Sequence, residues 1–163
     1  KRGISFLKYT ILYDEMRRFL KDSKKVFVFA PTIEICEEIF SFLSLRFRGG
    51  NYVHSKNKFR QQIIADFKQG KYRYLVTTAV LERGVTFKDL QVIVFKADHN
   101  VYDSHALIQI AGRVGRKKDA PEGEVIFIVE KSNIEIEKCI NEIKRANASL
   151  QDMLSRDKTN EFA

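Results

Sequence analysis

Short, wholly apolar runs separated by stretches with helical periodicity constrain this chain most. Val26-Phe27-Val28-Phe29-Ala30 is continuous, flanked by lysines and by Pro31, and reads as a strand buried on both faces. Tyr52-Val53-His54, Tyr74-Leu75-Val76-Thr77, Val92-Ile93-Val94-Phe95 and Val125-Ile126-Phe127-Ile128-Val129 give four further strands. Between them lie helical stripes. Leu12, Met16, Phe19 and Leu20 pattern a helix over about residues 5–22. Pro31-Thr32 opens another over about 33–46, with Glu34, Glu37 and Glu38 near its positive end. Phe59, Ile63, Ile64 and Phe67 form the stripe of the next, which Gly70 ends. A helix near Ser104 carries Leu107, Ile108 and Ile110, and Ile136, Ile140 and Ile143 mark a long last one.

Strands alternating with helices imply right-handed βαβ units and a mainly parallel sheet covered on both faces. The reading is one α/β domain over residues 24–150, with 1–23 as its helical lead-in and 151–163 as a polar tail expected to fray. The length of 163 residues suits one domain, and 44% hydrophobic against 31% charged content is globular. No apolar run approaches the roughly 20 residues of a membrane span. The chain starts at Lys1 rather than a methionine and so reads as part of something longer. A net charge of +8 suits a polyanion, nucleic acid above all, or equally a solubility surface. Cys36 and Cys139 form no Cys-x-x-Cys pair, so they read as core residues of a reduced, intracellular protein, and no metal ligand set is expected.

Chemistry concentrates in Gln109-Ile110-Ala111-Gly112-Arg113-Val114-Gly115-Arg116. Two arginines three positions apart, spaced by glycines, form a compact forked cation matched to phosphate oxygens. Hydroxyl residues fall at the C-terminal ends of three expected strands: Thr32, Ser55 and the pair Thr77-Thr78. Thr32 and Ser55 also precede helices, and Lys56, Lys58 and Arg60 follow Ser55. Each hydroxyl could simply cap a helix or turn; together, in a basic chain, they read as a phosphate track. Gly84, in Thr77-Thr78-Ala79-Val80-Leu81-Glu82-Arg83-Gly84-Val85-Thr86, lets main chain approach a ligand or merely turns the loop. Asp98-His99 and Asp103-Ser104-His105 lack a nucleophile elbow, so capping by Ser104 and a polar interdomain contact by His99 are the readings. Tyr72, Tyr74 and Phe87 could stack bases, but residues of this kind near strands usually pack.

These segments resemble the second RecA-like domain of superfamily 2 helicases and translocases. The Thr77–Thr86 segment is similar to that superfamily's fifth motif, the Gln109–Arg116 string to its sixth, and Phe29-Ala30-Pro31-Thr32 falls where its fourth lies. The resemblance runs from about Lys24 to Ala148. Leu81-Glu82-Arg83-Gly84-Val85-Thr86-Phe87, Ala97-Asp98-His99 and Gly123-Glu124-Val125-Ile126-Phe127 narrow it to the ComFA family of competence DNA-uptake ATPases. The resemblance implies a three-layer, P-loop-NTPase-type fold. It makes Arg116 an arginine finger and Arg113 a second γ-phosphate contact, with Gln109, Gly84, Thr86 and Gly112 binding ATP. Thr32, Ser55, Thr77, Thr78, Lys56 and Arg60 would hold single-stranded DNA. Thr86 departs from the DEAD-box group, which carries Asp there.

No G-x-x-x-x-G-K-[ST] loop and no D-E-x-x pair is present. The resemblance therefore places ATP and Mg²⁺ mainly on an upstream RecA-like domain of the same polypeptide, and predicts that this piece alone hydrolyses no ATP. It further implies a cytoplasmic protein, peripheral at the inner membrane face through competence proteins of the membrane channel, with no insertion of its own. A primosome-restart type of helicase, or a docking module that has lost the motor, are the competing identities.

Overall fold

The computed structural model describes residues 2–78, 90–112, 123–131 and 133–160. Helix α1 (Arg2–Lys21) leads into β1 (Lys25–Ala30), followed by α2 (Ile33–Ser44), β2 (Gly50–Val53), α3 (Arg60–Lys68), β3 (Tyr74–Thr78), β4 (Leu90–Phe95), α4 (Ser104–Ala111), β5 (Val125–Ile128) and α5 (Ile134–Asn160). The five strands form one sheet in the order β2-β3-β1-β4-β5, and every pairing is parallel. The α/β class and all five expected strands are present.

The central strand explains the layering. Side chains alternate across a pleated strand, so Val26, Val28 and Ala30 meet one set of helices while Phe27 and Phe29 meet another. On the first face lie α1, through Leu12, Met16, Phe19 and Leu20, and α2, through Cys36, Ile39 and Leu43. On the second lie α3, α4 and α5, through Ile64, Phe67, Leu107, Ile110, Ile136 and Cys139. This division follows from handedness. The β1-to-β2 crossover travels one way along the sheet, while β2-to-β3 and β4-to-β5 travel the other, so right-handed turns place α2 opposite α3 and α4.

Boundaries differ in instructive places. Helix α2 stops at Ser44, because Arg46 and Phe47 both turn their N–H groups back to the Leu43 carbonyl. Gly70, at φ +85°, ends α3 in the left-handed conformation as its position suggested. Helix α5 continues to Asn160, through most of the segment read as a polar tail, where Gln, Met, Leu, Arg and Lys are good helix formers. Phe59 does not join the apolar stripe of α3: it sits at the N-cap and is 72% exposed.

Candidate functional site

Three of the sequence-predicted contact positions gather at the C-terminal edge of three adjacent strands. Ala30 is aligned with Thr78 and Val53 with Thr77, so the exits of β2, β3 and β1 lie side by side. Neighbouring strands sit about 4.8 Å apart, and Ser55 and Thr32 each come two residues after the last paired residue of β2 and β1, so the topology brings them to the same sheet edge as Thr78.

Thr32 is the N-cap of α2, and its hydroxyl oxygen accepts the Ile35 N–H at 3.2 Å. A capping hydroxyl still has its proton to donate outward. Thr77 and Thr78 are both buried but face opposite sides of the sheet, since Thr77 is in register with Phe29 and Thr78 with Ala30. The Thr77 hydroxyl donates to the Thr78 carbonyl at 3.0 Å. Thr78 therefore shares the α2 side with Thr32, and Thr77 does not.

The loop leaving β2 corrects one expectation. Ser55 does not cap α3, which starts only at Arg60 after an N-cap residue, Phe59, with no side-chain cap bond. Asn57 and His54 shape this turn instead. Asn57 donates its N–H to the His54 carbonyl, and its side-chain oxygen accepts the Phe59 N–H at 2.9 Å. His54 Nδ1 accepts the Lys56 N–H at 3.3 Å while Nε2 lies 3.5 Å from a Glu37 oxygen. The loop presents Ser55, Lys56 and Lys58 to solvent, with Arg60 half-buried beside them. Sequence reasoning missed His54 and Asn57; an Asn two residues before the helix cap was the available signal.

Beyond β4, the polar residues serve as local staples. An Asp98 carboxylate oxygen accepts the N–H groups of Glu130 and Lys131 at 3.2 and 3.4 Å, tying the exits of β4 and β5. Asp103, rather than Ser104, caps α4, accepting the Ala106 N–H at 2.7 Å; a carboxylate one residue earlier reaches the N3 amide that Ser104 would overshoot. His99 Nδ1 accepts the Val101 N–H. Gln109 is exposed on the last turn of α4, its amide nitrogen 3.1 Å from Nε2 of His105, and Gly112 is the C-cap. Arg113, Arg116, Gly84, Thr86 and Phe87 lie outside the described residues.

Burial decides several other roles. Cys36 and Cys139 are buried, and loss of hydration pushes their thiols up to about 12 and about 11. Tyr74 is buried, donates its hydroxyl to the Phe47 carbonyl at 2.9 Å and is pushed up to about 12 chiefly by desolvation; it packs rather than stacks on a ligand. Tyr72 packs against the second face.

Thr32, Ser55, Lys56, Arg60 and Thr78 bring hydroxyls and cations to one edge, a donor set suited to the phosphates of a polyanion, with the carboxylates of Glu34 and Glu37 on the adjoining helix α2. A hard divalent cation would need carboxylates that these five residues lack. Among the described residues no group of three or more His, Cys, Asp or Glu could hold a metal ion, and no helix is long and apolar enough to cross a membrane.

Residues 7–118 match the model of the helicase conserved C-terminal domain. The chain is 34% identical over 136 residues to the competence protein ComFA of Bacillus subtilis, covering 81% of this chain and 29% of that one. It is 35% identical over 137 residues to ComFA of Streptococcus pneumoniae, covering 83% and 31%. It thus spans under a third of either relative. Among solved structures it resembles Mss116p DEAD-box helicase domain 2 bound to an RNA duplex, with a TM-score of 0.63, 22% identity, and coverage of 78% of this chain and 51% of that one. It also resembles the DUF1998 helicase MrfA bound to DNA, with a TM-score of 0.62, 20% identity, and coverage of 86% and 19%. At these identities both likenesses concern the fold, and the fold they share is RecA-like.

Proposed function

Because this chain belongs to the helicase conserved C-terminal domain family, we propose that it is the second motor domain of an ATP-dependent, single-stranded DNA translocase that drives DNA import in competence. Residues 24–150 form the motor domain, 1–23 its helical lead-in and 151–163 its tail. The observation that carries the DNA part is the row of Ser55, Thr78 and Thr32 on three adjacent strand exits, flanked by Lys56 and Arg60. Similarity to two ComFA proteins favours the competence setting.

In this proposal an upstream RecA-like domain of the same polypeptide holds most of the nucleotide and its Mg²⁺. Bound ATP supplies the phosphoanhydride whose cleavage separates the closed from the open cleft. Arg116 and Arg113 neutralise charge at the γ-phosphate, Gln109 links that contact to α4, and Gly84, Thr86 and Gly112 line this domain's side. Ser55, Thr32, Thr78, Lys56 and Arg60 grip the DNA backbone, so alternate gripping by two domains becomes movement along the strand. Thr77, which the sequence groups with them, braces the Thr78 carbonyl from the other face. The protein works in the cytoplasm and reaches the membrane channel only through other competence proteins.

The test is Arg116→Ala in the full-length polypeptide. DNA-stimulated ATP turnover is expected to fall roughly 10³-fold with single-stranded DNA affinity within about twofold. Equal loss of both would make Arg116 structural. Retained turnover would remove the finger. DNA binding by a full-length protein without any turnover would identify a docking module.

A further inference from the structure

Phe59 is out of place for a core residue. It stands at the N-cap of α3, 72% exposed, while Ile64 and Phe67 of the same helix are buried. An exposed Phe gains nothing from water, and single exposed apolar residues are common. The surroundings are what distinguish this one. Phe59 lines a groove of about 430 Å³ together with Ser55, Asn57, Lys58, Arg60 and Gln62, and none of the described residues lining it is acidic. Lys56 is exposed one turn away. The loop is held in shape by the Asn57-to-Phe59 and His54-to-Asn57 hydrogen bonds, so the ring is presented from an ordered backbone.

We propose that Phe59 is a stacking platform for a base of single-stranded DNA, with Lys58 and Arg60 holding the phosphates on either side. The proposal deepens the DNA-track reading and rests on it: Ser55 belongs both to the strand-edge row and to this groove. The chemistry favours a base over an apolar protein segment, because an aromatic face beside Lys56 and Lys58, with no acidic side chain among the described residues that line the groove, matches a ligand that alternates flat rings with negative charges. Stacking also tolerates any sequence, as an import motor requires.

The experiment compares the wild-type chain with Phe59→Ala, Phe59→Trp and Lys58→Ala. Each is titrated into oligo-dT and into an abasic oligomer of equal length and charge, by fluorescence anisotropy over a range of salt. Phe59→Ala is expected to weaken oligo-dT binding about tenfold, to leave the abasic oligomer unaffected and to keep the salt slope. Phe59→Trp restores affinity, and its indole fluorescence is quenched by oligo-dT alone. Lys58→Ala weakens both oligomers and lowers the salt slope by about one. If Phe59→Ala binds oligo-dT like wild type, stacking is overturned while the phosphate track stands. Equal loss on the abasic oligomer would also overturn it, leaving Phe59 a protein-contact or structural residue. If wild type binds neither oligomer, the DNA-track reading falls as well.

Discussion

A Glu135 carboxylate oxygen accepts the backbone N–H of Ser104 at 2.8 Å, pinning the first turn of α5 to the first residue of α4. The other oxygen lies 3.3 Å from Lys138. These bonds hold the Glu135 carboxyl below the usual carboxylate range, the Ser104 N–H contributing most. A lowered folded-state pKa stabilises the native state above the ordinary Glu value and loses that contribution as pH falls through it. Glu135→Gln should therefore lower the urea midpoint at neutral pH, with the gap to wild type closing as pH drops below about 4. Amide exchange at Ser104 to Leu107 should speed up in the same variant. A gap that persists into acid would assign the effect to packing.

The contrast between this bond and the strands shows what the sequence made legible. Runs such as Val26–Ala30 announce a buried parallel strand because both faces must be apolar, and the three strand-end hydroxyls followed once the strands were placed. Staples between elements were not legible. Nothing in the spacing of Ser104 and Glu135 says that α5 folds back on α4, and the choice of Asp103 over Ser104 as cap is a matter of one residue in helix phase. Phe59 kept helical spacing with Ile63 and Phe67, yet the helix starts one residue after it, so periodicity alone placed it in the core.

Gly50 begins edge strand β2 with the Tyr74 ring lying against its Cα, where a Cβ would land inside the ring. Tyr74 cannot swing away without breaking its bond to the Phe47 carbonyl and leaving a buried hydroxyl unpaired. Gly50→Ala should destabilise the fold by about 1–3 kcal/mol in urea unfolding. Tyr74→Leu in the same chain makes room and should recover part of that loss. Full additivity of the two costs would mean that the ring is not what Gly50 accommodates.

Thr32 offers a way to separate capping from phosphate contact. Ala at this position removes the acceptor for Ile35 N–H and should cost about 1 kcal/mol of stability. Asp keeps the cap, and its charge is favourable at the helix N-terminus. The same charge would repel a phosphate beside it. Thr32→Asp should thus unfold like wild type while binding single-stranded DNA at least tenfold more weakly. Unchanged DNA affinity in Thr32→Asp would confine Thr32 to the cap.

The adjacent threonines of β3 give the sharpest geometric test of the track. Thr78 is in register with Ala30 and shares a side with Thr32, whereas Thr77 is in register with Phe29 and spends its hydroxyl proton on the Thr78 carbonyl. Replacing each by Val keeps shape and removes the hydroxyl. Thr77→Val should lose about 0.5–1.5 kcal/mol of stability and leave DNA affinity within about twofold. Thr78→Val should do the reverse, weakening DNA binding severalfold with little change in the unfolding midpoint. Combining Thr78→Val with Thr32→Ala should weaken binding further, since both would contact the same backbone stretch. If Thr77→Val proves the more damaging to DNA binding, the strand passes on the α3 side of the sheet, and the row from Ser55 to Thr32 is not its path.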